Sequence, residues 1–164
     1  MKKITVIIAV VALSAMVFQA SFAQVSTSQS VILAVGSVQK ISVSGNPAPL
    51  TISGGVAGTN ALTAVSDNST TYSETHNGAA PLKITAGIDV ALGTGYKLEI
   101  ALASAKGTSA GSTDISAATT AVDVVTGIAR GADANKTITY TFSADADAGE
   151  LASTTKTVTL TITN

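Results

Sequence analysis

Thr157-Val158-Thr159-Leu160-Thr161-Ile162-Thr163 alternates hydroxyl and aliphatic side chains for seven residues without a break. In a β-strand successive side chains point to opposite faces, so this stretch makes one dry face and one wet face. Threonine, valine and isoleucine are β-branched, which lowers helix propensity and suits a pleated surface; propensity and period agree. Thr137-Ile138-Thr139-Tyr140-Thr141-Phe142 repeats the pattern. Two half-exposed strands of this kind imply an antiparallel sheet with one covered face.

Working outward, Leu82, Ile84, Ala86 and Ile88 share one face of a predicted strand, and Tyr96, Leu98, Ile100 and Leu102 share one face of another. Lys83, Lys97 and Glu99 fall on the opposite registers. From Val31 onward the period is also two. Val38, Lys40 and Ser42 oppose Gln39, Ile41 and Val43, and after the turn-like Gly45-Asn46-Pro47-Ala48-Pro49 a further short strand is expected at Leu50 and Ile52. Ala117, Ala118, Ala121 and Val122 are compatible with a helical turn, but a strand through Val122, Val124 and Val125 is preferred. Gly-, Ser- and Asp-rich loops are expected at 53–60, 104–112 and 144–154. Seven to nine short strands predict an all-β fold: a single antiparallel β-sandwich, immunoglobulin-like or Greek-key, preceded by a signal-peptide helix.

Lys2 and Lys3 precede an apolar run, Ile4 to Phe18, that is shorter than the roughly 20 residues of a membrane span. Ser21-Phe22-Ala23 then puts small side chains at the two positions that signal peptidase must admit, so cleavage is predicted between Ala23 and Gln24, with Ser21 and Ala23 as recognition residues. The expected organisation is a signal peptide at 1–23, a mobile polar leader at 24–30 and one β-domain at 31–164. Removing residues 1–23 from 164 leaves 141, the size of one ordinary core. It also takes two of nine cations away from ten acids, for a net charge of about −3. No basic stripe is available for nucleic acid. The chain has no cysteine, which excludes disulfides, thiolate metal sites and a lipid-modified N-terminal cysteine. The product is therefore expected to be secreted, into the periplasm, onto the cell surface or beyond, without inserting in the membrane after cleavage.

Chemical candidates are few. His76 is the lone histidine, and a serine nucleophile would need it as base, but no Gly-x-Ser-x-Gly turn is present. It reads as a strand-end residue before the Asn77-Gly78 turn. Asp145, Asp147 and Glu150 resemble part of a calcium loop, with Ala148 where another oxygen ligand belongs; solvated loop charges are the preferred reading. Asn68-Ser69-Thr70 and Asn135-Lys136-Thr137 match a glycosylation acceptor and are read as turns. Of Tyr72, Tyr96, Tyr140 and Phe142, the last three fall on core-facing registers, which leaves Tyr72 alone as a poor stacking platform for a ligand. No catalytic residue, cofactor or metal ligand is assigned, and an enzyme is not expected.

The closing Ala148-Gly149-Glu150-Leu151-Ala152-Ser153-Thr154-Thr155-Lys156, running into the alternating Thr157–Thr163 stretch, resembles the end of secreted bacterial β-sandwich subunits of the fimbrial and spore-coat-U-like families. It departs from them in carrying Glu150-Leu151 where a tyrosine is common and in lacking their cysteine pair. A more distant similarity, over 81–163, is to uncharacterised exported bacterial proteins. The resemblance implies a surface protein, a fibre or surface-layer subunit, that associates with itself or with a protein partner through unpaired strand edges. The donors would be 24–35 or 156–163. The alternative is a monomeric secreted binding module whose loops at 104–112 and 144–154 meet a ligand.

Overall fold

The computed structural model describes residues 25–164, so the expected signal peptide, with Ser21 and Ala23, lies outside the described residues. The described chain is all-β, with no α-helix and a single 3-10 turn at Ala146–Ala148. Contacts divide it into Met1–Ala34 and Val35–Asn164. Of the first part, residues 25–34 are described, and they are exposed and carry no strand.

The nine strands are β1 (Gln39–Val43), β2 (Val65–His76), β3 (Leu82–Ile88), β4 (Tyr96–Leu102), β5 (Thr108–Ser109), β6 (Thr113–Asp114), β7 (Val122–Ile128), β8 (Gly131–Ala144) and β9 (Val158–Thr163). They form two antiparallel sheets, ordered β1-β2-β8-β4-β6 and β5-β7-β3-β9. The expected faces of β3, β4 and β8 are the buried ones: Leu82, Ile84, Ala86, Ile88, Leu98, Ile100, Leu102, Ile138 and Tyr140 join Val124, Val125, Ile128 and Ile162 in one core cluster drawn from both sheets. Tyr96 and Phe142 lie on core-facing registers but are half-buried at the rim, their rings near-parallel with centroids 6.5 Å apart. Between residues 116 and 125 the strand prevails over a helix, as β7.

Three expectations are corrected. Residues 31–38 carry no strand, and pairing begins at Gln39. Leu50 and Ile52 are half-buried, and Leu50 packs on the core, but neither lies in a strand. Pro47 and Pro49 lack the N–H groups a ladder needs. The two Asn-x-Ser/Thr motifs are also not turns. They mark β-bulges within the β2–β8 pair.

Those bulges have opposite sense. Between the pairs Asp67↔Tyr140 and Thr70↔Ile138, Asn68 and Ser69 oppose one residue of β8; between Tyr72↔Lys136 and Glu74↔Asp133, Ala134 and Asn135 oppose one residue of β2. The second cancels the first, so the register beyond them is unshifted. Each switches the facing parity of its strand. β8 buries even-numbered residues at Ile138 and Tyr140, and past Asn135 it buries the odd-numbered Asp133.

Asn135 holds the second bulge in the left-handed region, at φ 53°, and its N–H donates to Ser73 Oγ at 3.0 Å. Asparagine tolerates that conformation where a β-branched residue does not. Asn135→Val is therefore expected to cost about 1–2 kcal/mol in urea unfolding, with Asn135→Gly within a few tenths of wild type. Equal losses in both variants would mean that side-chain contacts set the bulge, rather than backbone conformation.

The two sheets are also joined at an edge. Gln39 Nε2, at the start of β1, donates to Ile162 O, near the end of β9, at 2.7 Å.

Candidate functional site

β2 carries a buried face that is polar. Thr70, Tyr72, Glu74 and His76 alternate inward, and the bulge at Asn135 turns Asp133 inward against Glu74. Glu74 is 3% exposed and His76 2%. Tyr72, expected to be a lone aromatic outside the core registers, is the deepest aromatic of the core at 1%.

Residues 103–107, between β4 and β5, cross this end of the core as a strap. Tyr72 Oη donates to Ala103 O at 2.8 Å, and the Ala105 N–H donates to Asp133 Oδ2 at 2.7 Å. Gly107 N donates to Ser104 Oγ at 2.9 Å, and Ala129 N donates to Lys106 O at 3.0 Å. Lys106 runs so close over Gly131 that a Cβ there would stand 3.0 Å from its Nζ. Asp133 completes its shell with Lys136, Nζ to Oδ1 at 2.9 Å.

The two facing carboxyls are thus unequal. Burial pushes the Asp133 carboxyl up, but the Ala105 amide, the Lys136 ammonium and the Lys106 amide outweigh it and hold it below the ordinary range. Glu74 has no such partners: neither of its carboxyl oxygens finds a hydrogen bond among the described residues. Burial pushes it above the ordinary range; His76 and Lys106 draw it back, and Asp133 adds to the rise. His76 Nε2 faces Ile128 O at 3.2 Å, which requires the proton on Nε2 and leaves the buried Nδ1 without a partner among the described residues.

His76 ends β2 immediately before Asn77-Gly78, as expected. Asn77 binds backward to the chain that enters β1: Val38 N donates to its Oδ1 at 2.8 Å, and its Nδ2 donates to Gly36 O at 2.7 Å. Among the described residues no serine is a hydrogen-bond partner of His76.

The acidic loop is built differently from a calcium cradle. Asp147 sits in the 3-10 turn, accepts from Asn60 Nδ2 at 3.2 Å and donates its N–H to Asn60 Oδ1 at 3.2 Å. Among the described residues no group of three or more His, Cys, Asp or Glu gathers as metal ligands. No helix among them is long and apolar enough to cross a membrane, which says nothing of strands.

No family model, no curated protein and no solved structure matches the chain.

Proposed function

We propose that the chain is an exported, non-enzymatic protein of the bacterial surface, an immunoglobulin-like or Greek-key β-sandwich that assembles into a fibre or layer by strand pairing. The observation that carries this reading is the exposure of Val31, Ile32, Leu33 and Val35, which stand 73–95% open in a segment with no strand. Each aliphatic side chain would gain roughly 1.5–3 kcal/mol on full burial, so a contiguous set of them favours a partner surface. The donor proposed here is this segment rather than the polar residues before it. The Asn77 side chain, which accepts from Val38 N and donates to Gly36 O, anchors the chain just before β1. Acceptor edges are offered by β9, paired only with β3, and by β1, paired only with β2, away from the Gln39 to Ile162 contact that joins the two.

The burial of Glu74 and His76 supports a structural role over catalysis, since neither side chain is open to a substrate. The signal sequence supports export, and the missing cysteine supports retention at the surface by association rather than by a lipid.

Size exclusion and negative-stain microscopy of the secreted protein test the proposal. Polymers are expected for the wild type. A variant with Val31, Ile32, Leu33 and Val35 changed to serine is expected to associate at least about 100-fold more weakly, the equivalent of two lost aliphatic anchors. A monomeric wild type, or polymers indifferent to the change, would overturn it.

A further inference from the structure

We infer that residues 103–107 form a proton-operated latch, closed over the end of the core while Glu74 carries a proton and loosened when Glu74 ionises. The inference rests on how the cluster is built. Glu74 lies on the inward register between Ile41 of β1 and Asp133 of β8, and both of its oxygens are sealed from solvent without a hydrogen bond. A protonated carboxyl tolerates that position far better than a charged one, because burying a charge without a partner is the costlier state.

The surroundings supply little compensation for a charge on Glu74. From β2 it is flanked by Tyr72 and His76, and from β8 by Asp133, which already holds Lys136. β1 contributes Ile41, and its Lys40 pairs with Thr75 on the opposite face. β7 contributes the Ile128 carbonyl to His76. Two groups favour the charge: His76, whose buried Nδ1 has no hydrogen-bond partner among the described residues, and Lys106, which belongs to the strap itself and lies across Gly131. An ionised Glu74 therefore faces an ionised Asp133, and beyond the His76 imidazole its relief is to draw Lys106 off Gly131 or to admit water.

Either movement displaces the strap and not the sheet. β1, β2 and β8 are tied by ladders, the β2–β8 one interrupted by its two bulges, whereas residues 103–107 belong to no strand and are held by isolated hydrogen bonds to Tyr72, Thr137, Asp133 and Ala129. Segments with few backbone pairings open first. The raised affinity of Glu74 for its proton gives the direction. A group that binds its proton more tightly in the closed state stabilises closure below its ordinary value and loses that contribution as pH rises through its closed-state value.

Hydrogen exchange followed by NMR on the secreted protein tests this at the amides of Ala105, Gly107 and Ala129. Corrected for the intrinsic rate, their protection is expected to fall, by at most about tenfold per pH unit, as pH rises from the ordinary carboxyl range to the ionisation of Glu74 in the closed fold, and to level off above it. The pH at which protection levels off should coincide with the midpoint of the Glu74 side-chain carboxyl carbon resonance in the same sample. Glu74→Gln should make the three protection factors independent of pH. Protection that is flat in the wild type, a levelling-off that departs from the Glu74 titration midpoint, or an unchanged slope in Glu74→Gln would each overturn the latch. If Glu74→Gln does not fold, the comparison of the wild-type levelling-off point with the Glu74 titration midpoint decides alone.

Discussion

Tyr72→Ala is expected to destabilise the protein by about 3–5 kcal/mol, the range for truncating a large buried aromatic. The ring is 1% exposed among Thr70, Glu74 and the strap, and its hydroxyl ties Ala103 to the sheet. Truncation opens a cavity next to a carboxyl that already lacks partners. For a domain of this size the loss corresponds to a drop in Tm on the order of 10 °C. Tyr72→Phe separates the two contributions: it keeps the ring and removes only the hydrogen bond to Ala103, for about 1 kcal/mol. Thermal and urea unfolding of both variants would measure this. A Tyr72→Ala loss under about 1 kcal/mol would mean that the polar end of the core collapses around the gap, contrary to the rigid packing described here.

Gly107→Ala is expected to cost about 1–3 kcal/mol by overpacking. A Cβ at this position would stand 2.8 Å from Thr126 O, 2.8 Å from Val125 Cγ1 and 2.9 Å from Ile128 Cγ1. One of these is backbone of β7, so the conflict cannot be relieved by turning a side chain. The strap must lift or β7 must shift. If the strap lifts, the Ala105 and Ala129 amides lose protection at every pH while the rest of the sheet keeps its own. A stability equal to wild type would show that the strap moves at no cost and is not fixed by Gly107.

The sandwich-like alternation of β3, β4, β8 and β9 is legible because their inward residues are apolar, and period two then coincides with hydropathy. β2 escapes the same reading although it is the second longest strand. Its inward face is Thr70, Tyr72, Glu74 and His76, so alternation of Val65-Ser-Asp-Asn-Ser-Thr-Thr-Tyr-Ser-Glu-Thr-His carries no apolar signal. The bulge at Asn68 and Ser69 also breaks its period. Tyr72 falls out of the core registers for the same reason.

Asp133 is concealed in another way. It shares odd parity with Thr137, Thr139 and Thr141, which point away from the core, and only the extra residue at Asn135 turns it inward. The two Asn-x-Ser/Thr motifs were the visible trace of both bulges. Read as turns, they conceal a continuous pair of strands. Pairing across 60 residues of sequence is needed to tell the two apart, and no local pattern contains it. The strap escapes as well, since a Gly- and Ser-rich stretch gives no sign of what lies beneath it.

The single hydrogen bond from Gln39 to Ile162 has a mechanical meaning. It places the start of β1 and the end of β9 at the same end of the fold, each with one neighbour in its sheet. Tension applied to both would load their ladders at one end and peel them a rung at a time, instead of shearing all rungs together. β1 and β9 would then yield first, while β2, β8 and β4 keep their pairing, and a strand of such subunits under load would lengthen before any of them lost its interior.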